Sequence, residues 1–328
     1  MVDLTNFNTL KVPAKARGFR EIREIRELGE IGTNEPYLFL GEGANVLFTK
    51  DFPGTVIKIN LLGKKIISEN DDEVIIEVAA GENWHEFVTW AVDHNYSGIE
   101  NMALIPGSVG AAVVGNIGAY GQEIKNSVLN VQTTNLKSQK TEIFNNPNCQ
   151  FDYRESFFKH HKEYLVVSAQ FRLSKKIHLE TSYQSRYESL ASFLPKNPTL
   201  KDVYNAVIKI RNQKLPDWNK FGTAGSFFKN PVIPKSQFPK IQEKIPDIKQ
   251  AYPLPDENFV KLPAGWLLDF LGWKAKKIGN VSTHDKTALV IINLGGATGK
   301  EVFDYAEMMR ADVKKEFNVD LEYEVRII

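Results

Sequence analysis

Three short segments of this 328-residue chain combine glycine with residues able to do chemistry. Gly41-Glu-Gly-Ala-Asn-Val-Leu47 follows an apolar run. Successive backbone N–H groups in such a turn can converge on phosphate oxygens without any side-chain charge. It is not a dinucleotide fingerprint, because Val46 stands where the third glycine would be, and a plain hairpin turn would use the same residues. The second segment, Ile105 to Gly121, holds Gly107, Gly110, Gly115, Gly118 and Gly121 after Pro106. Such glycine density is unfavourable in backbone entropy, so it points either to a loop that a ligand approaches closely or to tight structural crossovers. In the third, Gly222-Thr-Ala-Gly-Ser-Phe-Phe-Lys-Asn-Pro231, Ser226 lies between a glycine and two aromatics. The Gly-x-Ser-x-Gly spacing of a hydrolase elbow is not met, and by itself a serine after glycine is usually a cap or turn.

Other patterns exclude chemistry. Gly295-Gly-Ala-Thr-Gly-Lys300 has Leu294 at the first position of a phosphate-loop pattern and Glu301 in place of the magnesium-binding hydroxyl, so it reads as a turn leading into a helix. His85, His94, His160, His161, His178 and His284 fall in no metal-ligand spacing, and no metal is expected. The single cysteine, Cys149, rules out an intramolecular disulfide, and its polar surroundings suggest a surface thiol. Charges nearly cancel, 41 Lys+Arg against 40 Asp+Glu, which argues against a nucleic-acid-coating protein. No apolar run approaches the roughly 18 residues of a membrane span. Nor do the first residues look like a signal peptide, so a soluble, cytoplasmic protein without membrane partners is expected.

The elements that must position these segments alternate between strand and helix. Tyr37–Leu40, Thr55–Ile59, Val74–Val78 and Leu165–Phe171 are rich in β-branched and aromatic residues. Trp84, Phe87, Val88 and Ala91 follow helical spacing. So do Leu200, Val203, Tyr204, Val207 and Ile208, with Thr199 as N-cap and Asp202 in the first turn. Residues Lys214–Lys220 read as a linker around Pro216. Beyond it come a helix over Ala264–Leu271, a strand over Ala288–Ile292, a helix carrying Val302, Tyr305, Ala306, Met309 and Val313, and a strand over Leu321–Ile328. The class is α+β.

Taken in order, several segments resemble one family, the flavoenzyme UDP-N-acetylenolpyruvoylglucosamine reductases. They are Gly41–Leu47, Ile99–Gly110, Asn116–Gly121, Tyr153–Lys159, Thr223–Pro231, Pro263–Asp269 and Glu324-Val-Arg326. The resemblance implies a three-domain flavoprotein, with a two-domain cup for FAD and an α/β substrate-binding domain. The boundaries would be 1–62 with a return strand at 319–328, then 63–214, then 215–318. It implies non-covalent FAD, NADPH as hydride source, and UDP-N-acetylglucosamine enolpyruvate as substrate in peptidoglycan precursor synthesis; a monomer is compatible with this.

By the same resemblance, FAD would be held by Gly41, Gly43, Ala44, Asn45, Val46, Leu47, Pro106, Gly107, Ser108, Gly110, Asn116 and Gly118. Ser226 would give a proton to C2 after hydride reaches C3, and Arg154 and Glu324 would stabilise the enolate. A bare carboxylate would oppose that charge, so Glu324 would act protonated or bridged. Tyr120, Lys214, Asn230 and Lys274 would contact the UDP-sugar. Tyr187, with Tyr183 as rival, would close over its diphosphate, as in members with a longer loop in the second domain. Two departures stand out: Ala44 replaces a common serine, and Lys11 stands where glycine is usual. A non-flavin nucleotide-sugar transferase and another FAD oxidase are the competing classes.

Overall fold

The computed structural model describes residues 1–31, 35–183, 189–217, 220–248 and 251–328. The chain divides into two compact units. One unit gathers three stretches, Met1–Arg17, Gly43–Pro53 and Lys214–Ile328; the other comprises Gly18–Glu42 and Gly54–Gln213.

The Gly18–Gln213 unit is built on a five-stranded sheet. Its strand order is Thr141–Asn145, Val128–Asn135, Tyr164–Ser174, Glu73–Ala79 and Lys64–Glu69. All pairings are antiparallel. Alternation within Glu73–Ala79 sends Val74, Ile76 and Val78 into the core. The exposed edge strand carries Lys64, Lys65 and Glu69, charges that discourage edge-to-edge pairing. A helix over Trp84–Asp93 begins at Asn83, whose side chain accepts the Glu86 N–H. It buries Trp84, Phe87, Val88, Ala91 and Val92, and the Trp84 and Phe87 rings meet Phe171 of the sheet. The Trp84 indole N–H, buried with the ring, donates to the Met102 carbonyl at 3.0 Å. This helix and sheet hold the glycine-rich 105–121 segment against the core, where Val109, Ala112 and Val113 are buried. Tyr37–Leu40 lies parallel to the strand over Phe52–Ile59 and ends at Gly41.

In the other unit, a three-stranded antiparallel sheet runs in the order Gly222–Ser226, Val290–Asn293, Val281–Thr283. Gly222 fits because a side chain there would overlap the Leu10 carbonyl oxygen. That carbonyl also accepts from Asn293 Nδ2 at 2.9 Å. The helix over Gly299–Phe317 covers the sheet with Val302, Tyr305, Ala306, Met309 and Val313. Its start is a reciprocal capping box between Thr298 and Glu301, so the Gly295–Lys300 stretch is indeed a turn into a helix.

The expected strand over Leu321–Ile328 is regular only at Arg326–Ile327, which pairs parallel with Val46–Leu47. The preceding residues serve a different partner: Phe228 and Tyr323 form an isolated bridge. Switching partners within eight residues prevents one continuous ladder.

Cys149 requires a correction. It is fully buried, not a surface thiol. The turn over Asn146–Cys149 turns its polar residues outward and tucks the sulfur inward, and burial pushes the thiol up to about 12. Lys11 has a left-handed backbone, φ 53°, which explains why glycine suits that position.

Replacing Thr298 with alanine removes one half of the capping box. We expect a loss of about 1 kcal/mol in chemical denaturation, with an unchanged denaturant slope. A midpoint equal to that of the parent protein would contradict the role given to this cap.

Candidate active site

The first glycine turn and the second glycine-rich loop touch. A Cβ on Gly41 would stand 2.5 Å from Ser108 Oγ and 3.4 Å from its Cβ, so the Ser108 hydroxyl would have to move to admit a side chain. Glu42 fastens the same two segments. One carboxylate oxygen accepts from Asn83 Nδ2 at 2.6 Å and the other from the Gly107 N–H at 3.0 Å. Gly107 has φ 125°, reserved in practice for glycine, and a Cβ there would point into open space. Gly110 lies so close to Ala80 that a Cβ would come within 2.7 Å of its methyl group. Ser108 is the N-cap residue of the helix over Val109–Gly115, yet its hydroxyl makes no capping bond. Pro106 directly precedes this loop and limits its backbone. This is a cradle of backbone and small side chains with an open face, which fits the diphosphate of a flavin dinucleotide.

Further along, Asn116 has a left-handed backbone and ends that helix. Its side chain is occupied internally: Nδ2 reaches the Asp152 carbonyl at 2.7 Å and Oδ1 accepts the Lys125 N–H at 3.1 Å. The Gly118 carbonyl accepts a hydrogen bond from Arg154 Nη2 at 2.9 Å. Arg154 itself adopts φ 54° and its carbonyl accepts from Lys159 Nζ. Tyr120 lies edge-on to Tyr183, with ring centroids 5.5 Å apart. Tyr187 lies outside the described residues.

The remaining turn residues, Gly43, Ala44, Asn45, Val46 and Leu47, belong to the other unit. Gly43 has φ 67°, and a Cβ there would collide with the Phe7 carbonyl. Asn45 Nδ2 donates to the Glu324 carbonyl at 3.0 Å, and the Arg326 N–H donates to the Asn45 carbonyl at 3.1 Å. The Glu324 N–H in turn donates to the Phe227 carbonyl at 3.0 Å, which puts Glu324 beside the residue that follows Ser226. Ser226 ends its strand opposite Val290, after an irregularity that begins at Thr223. Thr223 Oγ1 stabilises that kink: it donates to the Ile291 carbonyl and accepts the Gly225 N–H, where φ is 73°. Ser226 and Glu324 are both half-buried.

Asn230 Oδ1 accepts the Ala264 N–H at 2.9 Å at the start of the Ala264–Phe270 helix, so its amide nitrogen is the end directed elsewhere. Lys274 Nζ lies 3.5 Å from Asp269. Lys214 is the last residue of the Leu200–Lys214 helix, and its carbonyl is hydrogen-bonded to His284. His284 is depressed by burial, and its Nδ1 has no hydrogen-bond partner.

Three residues to which the sequence assigns no role also stand out: Arg211, His85 and Arg326. Arg211 is half-buried, and desolvation lowers its pKa, with Tyr120 bonded to it and Arg154 close enough to repel it. Its one hint in the sequence is that no acid stands three or four residues away on its helix. Burial also lowers Arg326. Among the described residues, no group of three His, Cys, Asp or Glu could hold a metal, and no helix is long and apolar enough to cross a membrane.

The cradle belongs to a flavin-binding protein: residues 22–138 match the family model described as FAD binding domain. Residues 216–328 match the model described as UDP-N-acetylenolpyruvoylglucosamine reductase, C-terminal domain. A reductase of that name from Flavobacterium johnsoniae is 44% identical over 331 residues, spanning 99% of this chain and 98% of the relative. One from Burkholderia cenocepacia is 44% identical over 295 residues, spanning 89% and 84%. The crystal structure of the reductase from Thermus caldophilus superposes with a TM-score of 0.67 at 22% identity, covering 99% of this chain and 97% of that one, and so shares its fold. The chain belongs to the UDP-N-acetylenolpyruvoylglucosamine reductase family and is an FAD-containing oxidoreductase.

Gly41→Ala should destabilise the protein by about 1–3 kcal/mol, as overpacking does. Adding Ser108→Ala removes the clashing oxygen and should restore most of that loss in a double-mutant cycle. Strictly additive effects would show that the two loops are not in contact.

Proposed function

We propose that this chain reduces UDP-N-acetylglucosamine enolpyruvate to UDP-N-acetylmuramate with NADPH, the reductive step of peptidoglycan precursor synthesis. When bound, FAD supplies two-electron transfer between NADPH and the substrate olefin. The glycine cradle of Gly41, Pro106, Gly107, Ser108 and Gly110 would hold it, together with the Gly43–Leu47 turn, Asn116 and Gly118. Ala44 adds no hydroxyl, so backbone N–H groups carry this contact.

Addition of hydride at C3 of the enolpyruvyl ether places negative charge on C2 and its carboxylate. Arg154 supplies a fixed cation for that charge, anchored by the Gly118 carbonyl. Ser226 donates the proton that completes C2, and Glu324 acts beside it. The observation that carries this pairing is the hydrogen bond from the Glu324 N–H to the Phe227 carbonyl, which ties both residues to adjoining backbones. Lys214, Lys274, the Asn230 amide and Tyr120 are assigned to the UDP-sugar. Tyr187 is assigned to closure over its diphosphate. The proposed setting is the cytoplasm, and the reaction calls for no second chain, nucleic acid or metal.

General acid catalysis contributes roughly 10²–10⁴-fold. In Ser226→Ala, NADPH should still bleach the flavin absorbance at the parent rate. Reoxidation by the enolpyruvyl substrate should slow by that factor in stopped flow. Unchanged reoxidation would remove Ser226 from its role. A purified protein that is colourless and cannot be reconstituted with FAD would remove the flavin chemistry altogether.

A further inference from the structure

Leu104 precedes the Ile105–Gly110 loop and has a left-handed backbone, φ 57°. For a residue with a Cβ this conformation costs roughly 1–2 kcal/mol, and it persists only where the surroundings over-determine it. The surroundings here grip the residue at both ends. Its N–H donates to His85 Nδ1 at 3.1 Å. Its carbonyl accepts from Arg211 Nη2 at 3.2 Å. We propose that His85 and Arg211 are positioning residues that clamp Leu104 from both sides and thereby hold the following loop in the shape that receives FAD. This rests on the assignment of Pro106, Gly107, Ser108 and Gly110 to the cofactor.

Both members are built for the task. The His85 ring stacks on Tyr204, with centroids 6.1 Å apart and planes 17° apart. The Tyr204 hydroxyl is fixed in turn by Thr89 Oγ1 at 2.8 Å, and Thr89 donates to the His85 carbonyl. An acceptor at Nδ1 requires the proton on Nε2, so the clamp operates with a neutral imidazole. Arg211 is half-buried, with its Nε buried and making no hydrogen bond. Burying a guanidinium is expensive. Its gain is geometric: one planar group joins the Leu104 carbonyl to the Tyr120 hydroxyl.

The charged and titratable groups facing His85 are Arg211 and Tyr204 from the Leu200–Lys214 helix and Glu86 from its own helix. Burial and the Arg211 charge depress His85 below its ordinary 6.5, while Glu86 opposes them. The sign follows from linkage. A depressed folded value means that the clamp is complete above about 6.5 and is lost as pH falls through the lower, folded value. Protonation there turns the acceptor into a donor facing the Leu104 N–H.

The test is FAD release from the holoenzyme, followed by the rise in flavin fluorescence on dilution between pH 5 and 8. The parent protein should lose FAD more readily on the acid side, with a midpoint below 6.5. His85→Asn places a non-titrating oxygen where Nδ1 stands, so retention should be high and flat with pH. His85→Leu should weaken FAD about tenfold at every pH, the scale of one lost hydrogen bond, and abolish the acid step. Acid-side release that persists unchanged in His85→Asn, or parent-like affinity in His85→Leu at pH 8, overturns the clamp. Should His85→Leu fail to fold, the pH profile of His85→Asn decides alone. A parent protein that binds no FAD at any pH overturns the cofactor assignment and this proposal with it, whereas parent binding with indifferent variants overturns the clamp only.

Discussion

The carboxylate of Glu42 joins two loops that are far apart in the chain, and the cofactor cradle depends on that junction. A negative charge beside an expected diphosphate looks adverse. It is tolerable because both oxygens are engaged by N–H donors, the Asn83 amide and the Gly107 backbone. The acid thus orients the loop from behind while the open face at Gly107 is left to the ligand. Asn83 extends the arrangement, since its Oδ1 caps the Trp84–Asp93 helix that is packed against the sheet. Loop geometry is thereby referred to the packed helix and sheet at the core of the unit.

A second theme is the use of left-handed backbone at non-glycine residues around the site. Leu104, Asn116, Tyr120 and Arg154 all adopt it. Each is held by hydrogen bonds to neighbouring segments. Strain of this kind aims side chains and carbonyls in directions that regular elements do not offer, and it requires a surrounding network to persist. The other unit solves the same problem with glycine at Gly43 and Gly225, and with a threonine side chain that pins the kink before Ser226.

Long elements with strong periodicity were legible from the amino-acid sequence. Val302, Tyr305, Ala306, Met309 and Val313 announce a helix, and Val74, Ile76 and Val78 announce a half-buried strand, because local spacing decides which face is apolar. The short pairs were not, since Arg326–Ile327 against Val46–Leu47 is a contact made only by the folded chain. Glycine density located the cradle, but nothing local shows that Gly41 meets Ser108 or that Glu42 faces inward. Arg211 hid among the polar residues of an amphipathic helix, and His85 matched no ligand spacing because its partner is a backbone N–H. Cys149 was misread for a related reason: polar neighbours describe the outside of a turn, not the direction of the one residue tucked beneath it.

The unit that carries Ser226 is assembled from residues 1–17, 43–53 and 214–328. During synthesis its opening stretch emerges first but has to wait for more than half of the polypeptide before its partners exist. Leu10, for example, docks on Gly222 and Asn293. The other unit, closed by Gln213, is complete much earlier and can fold on the ribosome while the leading stretch remains unpaired. Docking of the leading stretch onto the C-terminal residues is then the late, high-contact-order event.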